Sequence, residues 1–206
     1  MSATQSPMPE HSNFHAPWSQ ELAAWYAENH GEHSSNRQTI QQAGLQPNDW
    51  LLDIGCGSGA AIREAGCYIT TGEALGVDLS PAMVDIARKK TADHPAASRL
   101  YFQEGSAMNL PLPENSRTVV VAIHSIHHWE DVRAGLAEVA RVLREDGRLI
   151  ICEEILSQEE QKNRATFTPD QTRKLLIECG FQPQETKTLP TEDGQIYIIK
   201  ALACDP

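Results

Sequence analysis

The chain has 206 residues, with 17 basic against 28 acidic side chains and a formal net charge of −11 with histidine neutral. That length supports one domain with a full core. A surface of that sign repels phosphate backbones, which argues against a general nucleic-acid binder. Five cysteines, Cys56, Cys67, Cys152, Cys179 and Cys204, are scattered and form no Cys-x-x-Cys pair. A zinc knuckle is therefore unsupported, and the expectation is buried, inert thiols in a reducing compartment. The chain opens on no signal-peptide pattern, and no apolar run approaches the roughly 20 residues that cross a bilayer. The expected protein is soluble and cytoplasmic, with no membrane partner.

Residues 1–17 are rich in Ser, Pro, His and Met and read as a mobile N-terminal arm. From Trp18 to about Gly44 the texture is helical, with Leu22, Trp25 and Tyr26 at spacings of three and four. Gly31 breaks this stretch, and a second short helix runs from Ser34 or Ser35 to Ala43, with Gly44 as its stop. Trp50–Ile54 reads as a strand, Ala60–Ala65 as a short helix and Ala74–Asp78 as a second strand. Ser80-Pro81 starts a helix that runs to about Thr91, with Ser as N-cap and Pro at the first helical position. Arg99–Gln103 is a third strand and Leu110–Asn115 a loop. Val119-Val120-Val121-Ala122-Ile123 is apolar without alternation, as in a parallel strand buried on both faces. Val132, Leu136, Val139, Ala140 and Leu143 form a helical stripe within Asp131–Leu143, and Arg148–Glu153 is a fifth strand. Thr168-Pro169-Asp170-Gln171 is a capping box whose helix ends at Gly180. Gln182–Leu189 and Gln195–Ala203, joined around Asp193-Gly194, predict an antiparallel hairpin. Strands alternating with helices imply an α/β fold, a Rossmann-like and mostly parallel sheet with helices on both faces and that hairpin at its edge.

The segment Trp50-Leu-Leu-Asp-Ile-Gly-Cys-Gly-Ser-Gly59 carries the chemistry. An apolar strand ends in Asp53, and Gly55, Gly57 and Gly59 let the backbone turn sharply and approach a ligand. A carboxylate just before such a turn suits a ligand bearing an amine and repels a pyrophosphate. S-adenosylmethionine (SAM), with its ammonium and cationic sulfur, meets that requirement. Asp78 ends the next strand, where a carboxylate accepts two hydrogen bonds from a ribose diol; Ser80 is better placed than Asp78 to cap the following helix.

Three motifs in order, Leu52–Gly59, Gly76-Val-Asp-Leu-Ser-Pro-Ala-Met83 and Ala140-Arg-Val-Leu-Arg-Glu-Asp-Gly-Arg-Leu149, resemble the class I SAM-dependent methyltransferases of the small, ubiquinone-biosynthesis-like type. The resemblance covers roughly residues 40–203. It implies a seven-stranded sheet in one domain over residues 18–206, with residues 18–44 as a helical lid. It also implies a SAM site built from Asp53, Gly55, Cys56, Gly57, Gly59, Asp78, Leu79, Met83, Ser106, Ala107 and His124. Ser106 departs from the family's pattern: the triplet Gly105-Ser106-Ala107 stands where many relatives carry an Asp toward the adenine amine. Tyr26, His33 and His127 are candidates for lining the methyl-acceptor space, and His127 or His128 for a general base; the alternative is that these histidines hold their loop.

The resemblance names no shared catalytic residue, because methyl transfer asks the protein mainly to align and desolvate the nucleophile. Adjacent His127 and His128 are not completed to a recognisable metal-ligand set, so no metal is expected. The implied partner is a small-molecule acceptor, with the protein a monomer or homodimer. The very polar stretch Ser157–Arg164 favours a small polar acceptor over a large greasy one. Two alternatives stay open: a non-catalytic SAM-binding module, and an NAD(P)-dependent Rossmann oxidoreductase using Gly55-x-Gly57-x-x-Ala60. Asp53 and the final hairpin stand against the latter.

Overall fold

The computed structural model describes residues 17–161 and 166–203; the expected arm up to residue 16, Asn163, Arg164 and Cys204 lie outside them. Two helices, α1 (Gln20–Asn29) and α2 (Ser34–Gln42), precede β1 (Trp50–Ile54), α3 (Ala60–Ala65), β2 (Glu73–Asp78), α4 (Pro81–Thr91) and β3 (Leu100–Glu104). Next come β4 (Arg117–Ile123), α5 (Val132–Val142), β5 (Leu143–Glu154), α6 (Gln158–Gln161), α7 (Pro169–Glu178), β6 (Phe181–Pro190) and β7 (Gln195–Ala203). The strands form one seven-stranded sheet in the order β3-β2-β1-β4-β5-β7-β6. β1 to β5 run parallel, while β7 is antiparallel to β5 and to β6, as the expected hairpin requires.

Local chemistry sets these boundaries. Ser80 caps α4 through a bond from the Met83 amide, and Pro81 fills the first helical position. Thr168 and Gln171 close a reciprocal capping box on α7. Val119 to Ala122 are fully buried, as a central strand covered on both faces must be. One side of the sheet packs Leu51, Val121 and Cys152 with Ile40 of α2 and Ile62 of α3. The other packs Leu52, Ile54 and Ile151 with Leu136 of α5 and Leu176 of α7.

Three departures from the sequence reading have physical causes. β5 begins at Leu143, five residues before the expected Arg148, because Leu143 pairs with Arg117 and the segment around Glu145-Asp146-Gly147 bulges before Arg148 pairs with Val119. The apolar stripe of α5 therefore ends at Val142, and Leu143 is already extended. The single-turn α6 has no apolar periodicity in sequence and was not foreseen. Among the described cysteines, Cys56 and Cys152 are buried as expected, but Cys67 is exposed just past the end of α3. Burial pushes the Cys152 thiol up to about 12. No helix of the described residues is long and apolar enough to cross a membrane.

Candidate functional site

The chain runs from β1 outward to β3, then returns to lay β4 on the other flank of β1. The carboxyl ends of β1 and β4 thus border the point where strand order reverses, which is where open α/β sheets take ligands. Asp53 and the glycine-rich turn leave β1 there, and the segment His124–His128 leaves β4 beside them. Ser125 fastens the two: its hydroxyl donates to the Ile54 carbonyl at 2.5 Å.

Asp53 is 3 % exposed and accepts no hydrogen bond among the described residues. Burial, and then the charge of Asp78, push its carboxyl up to about 8. A carboxylate so placed gains most from a cation brought to it. Gly55, Gly57 and Gly59 have φ of +77°, +50° and +81°. Only Gly57 would carry a Cβ with nothing within 4 Å, so the bare backbone there faces open space. A Cβ at Gly59 would instead strike the Phe102 ring at 2.7 Å. The turn thus offers an open backbone cradle beside an unpaired acid, and that combination fits a cationic amino-acid nucleoside.

Asp78 already has two backbone partners. Its Oδ2 accepts from the Gly57 amide at 2.8 Å and its Oδ1 from the Ser80 amide at 2.9 Å. These bonds pull its carboxyl pKa down, but burial outweighs them and the net shift is upward. Next to it Leu79 is exposed, while Met83 and Cys56 are buried, so any contact of Cys56 with a ligand runs through backbone. Ser106 spends its hydroxyl on its own loop, accepting from the Met108 amide at 3.2 Å; Ala107 beside it is buried.

The other candidates separate into groups. His124, at a left-handed φ of +50°, meets His33 edge to face at 5.8 Å between ring centres. His33 caps the start of α2 and lies 3.5 Å from Asp193 in the β6–β7 loop. Tyr26 packs in a cluster with Trp18 and His30. His127 turns elsewhere again, placing Nδ1 2.7 Å from Oε2 of Glu153 at the end of β5. The described residues contain no group of three or more His, Cys, Asp or Glu able to hold a metal ion.

Sequence reasoning missed the contacts that seat the N-terminal helices on this site. Ser58 of the glycine-rich turn donates to the Gly31 carbonyl at 3.0 Å, and Glu32 takes both Arg63 and Lys90. Glu192 of the β6–β7 loop accepts from the Ser34 amide and hydroxyl, which hold its carboxyl down to about 2. These partners lie far apart in sequence and no local motif announces them. Two open surface depressions, about 360 Å³ and 340 Å³, lie away from Asp53 and Asp78. One runs along α4 and β3 and the other along the outer face of the β6–β7 hairpin, so neither bears on the strand-end chemistry.

Known proteins agree with this geometry. A family described as a methyltransferase domain matches residues 52–151, from β1 through β5. The uncharacterized methyltransferase YcgJ of Bacillus subtilis is 35 % identical over 112 residues, covering 54 % of this chain and 43 % of that protein. The demethylmenaquinone methyltransferase of Symbiobacterium thermophilum is 31 % identical over 119 residues, covering 57 % and 47 %. The chain thus spans about half the length of the curated relatives it matches. A chain from the complex of the Haloferax volcanii Trm112 methyltransferase activator with a methyltransferase superposes with a TM-score of 0.77 at 20 % identity, covering 90 % of this chain and 97 % of that one. That identity speaks to the fold alone. Strand order, the acid–glycine turn at the reversal point and the family match together identify residues 52–151 as a methyltransferase domain of the class I SAM-dependent type.

Proposed function

We propose that the protein transfers the methyl group of S-adenosylmethionine to a small-molecule acceptor at the carboxyl ends of β1 and β4. The observation that carries this is Asp53, a buried carboxylate without a hydrogen bond among the described residues, one turn from the open backbone of Gly57. When bound, SAM supplies a methyl group already activated on a cationic sulfur.

The residues of the chain do the rest. Asp53 draws the ammonium, directly or through water, and sheds its own proton in doing so. The backbone of Gly55, Gly57 and Gly59 passes under the methionine and ribose, with Cys56 contributing main chain only. Asp78 keeps its two amide bonds and offers its remaining lone pairs to the ribose diol. Leu79 packs on the adenine, Met83 supports it from the core, and Ser106 and Ala107 border its edge. His124 and His33 close the methionine end together, with α1 and α2 as the lid over it. Tyr26 supports that lid from its aromatic cluster.

The acceptor is a small molecule, as for the relatives named as quinone methyltransferases. The charged, polar run after β5 favours a polar acceptor, and the acidic surface opposes a nucleic acid. Isothermal titration with SAM and with NADH tests the cofactor: the expected result is binding of SAM alone. Incubation with SAM and a metabolite extract, read by mass spectrometry, then separates an enzyme from a SAM-binding module. NADH binding, or SAM binding with no methylated product, defeats this reading.

A further inference from the structure

The sheet has two outer strands, β3 and β6, and they are finished differently. An outer strand carries unpaired backbone groups along its free side, and folded proteins blunt such edges with proline, lysine, bulges or a covering element. β6 uses each of these. Pro183 and Pro190 remove donors, Lys187 adds charge, and the register with β7 breaks between Pro183 and Thr186. Arg173 of α7 takes the Gln184 carbonyl, and Gln38 of α2 takes that of Pro190 at 3.0 Å. β3, Leu100-Tyr-Phe-Gln-Glu104, has neither proline nor lysine and pairs with β2 without a break.

The pairing with β2 fixes what the free side of β3 presents. The Gly105 amide bonds the Asp78 carbonyl, so by alternation the odd-numbered residues direct their backbone at β2. Leu100, Phe102 and Glu104 direct theirs outward. Arg88 of α4 marks that side, donating to the Phe102 carbonyl at 2.8 Å. Its side chain is long and exposed, and free to yield that carbonyl to an arriving amide. Leu100 and Phe102 pack under α4 with Val84 and Ala87, which leaves Tyr101 and Gln103 on the opposite face. Both are exposed, Tyr101 by 48 %. The open groove of about 360 Å³ lies between α4 and this edge, with Arg88, Thr91 and Leu100 among its walls.

We propose that β3 is a homodimer seam: two copies pair edge to edge, antiparallel about Phe102, into one sheet running through both. The proposal does not depend on the methyltransferase reading. A two-fold axis at Phe102 sets each Leu100 opposite Glu104 and each Tyr101 opposite Gln103 of the second copy. The outward amides and carbonyls then meet as hydrogen-bonded pairs. The charges are self-complementary. Arg88 and Glu104 both stand on the α4 face of the edge, and the axis brings Glu104 of each copy toward Arg88 of the other, with the groove giving it room. On the opposite face Tyr101 covers Gln103 of the second copy and reaches its Tyr101 on the diagonal. The symmetry makes every one of these contacts twice, which is what selects a second copy over an unrelated strand.

Sedimentation velocity on the full chain at micromolar concentration tests this, and twice the mass of the chain is expected. Glu104→Arg sets two cations against each other at the seam and weakens the dimer roughly tenfold or more, with circular dichroism unchanged. Adding Arg88→Glu to that variant reverses both charges and restores the dimer. The register is read by cysteines: Tyr101→Cys with Gln103→Cys places Cα atoms about 4.5 Å apart across the seam, within disulfide reach. Oxidation should then link two chains, and should not when either cysteine is left out. Hydrogen exchange at the Leu100, Phe102 and Glu104 amides should be slow in the parent and fast in Glu104→Arg. A monomer at every concentration, a dimer indifferent to Glu104→Arg, a charge swap that restores nothing, no crosslink, or fast exchange of these amides in the parent overturns the proposal.

Discussion

Ser58, inside the glycine-rich turn, donates its hydroxyl to the carbonyl of Gly31, which joins α1 to α2. The turn proposed to carry the cofactor and the helices proposed to cover it are therefore one hydrogen-bonded unit. Gly31 has no room for a side chain, since a Cβ there would stand 2.5 Å from the Ala27 carbonyl oxygen and 2.7 Å from Ser58 Oγ.

Gly31→Ala must move backbone or break the Ser58 bond. The expected cost is about 1–3 kcal/mol, read as a lower midpoint in chemical denaturation. Hydrogen exchange should quicken in α1 and α2 ahead of the central strands. A variant as stable as the parent, with unchanged exchange, would show that the two segments are not coupled.

Asp53→Asn should stabilise the protein while weakening SAM binding. The raised carboxyl keeps its proton in the folded state up to about pH 8, whereas the unfolded chain loses it near pH 4. The folded state binds more protons across that window, so the stability of the parent falls as pH rises through it. Asparagine removes the penalty. The gain in Tm should be absent near pH 4 and grow toward pH 8, reaching several degrees by thermal melts.

The same carboxyl makes cofactor binding pH-dependent. An ammonium arriving beside Asp53 favours the ionised form, so binding below about pH 8 releases a proton. SAM affinity should climb from pH 6 to pH 8 and then level off. Titrations at pH 7 in phosphate and in Tris, whose ionisation heats differ, should give observed enthalpies consistent with that release. Identical enthalpies in the two buffers would contradict it.

Ser106→Asp tests the departure noted in the sequence. An Asp at this position can keep the turn by accepting from the Met108 amide, as Ser106 does, and still present charge to an adenine amine. A charge-assisted bond exceeds a neutral one by about 1 kcal/mol, so a roughly fivefold tightening of SAM is expected by titration. No change would mean that backbone at Ala107 and Met108 carries the adenine edge.

Much of this molecule was legible before any coordinates. Ser80-Pro81 and Thr168–Gln171 placed two helix starts to the residue, because capping is local chemistry. The unbroken apolar run Val119–Ile123 announced a central parallel strand. What stayed hidden was long-range. Glu153 reads as one more acid at a strand end until the fold sets it against His127, 26 positions away. Glu192 holds the start of α2 across 158 residues. The three histidines after β4 looked like one group, yet the backbone sends His124 toward His33 and His127 toward Glu153.

Asp78 decides how an inactive control should be made. Its carboxylate clamps the glycine-rich turn and the root of α4 at once. Alanine there would erase any grip on a nucleoside sugar and unlace the loop that shapes the rest of the cleft, so a tenfold loss of affinity would have two inseparable authors. An experimenter wanting a clean dead protein should leave Asp78 alone and neutralise Asp53, which accepts no hydrogen bond among the described residues.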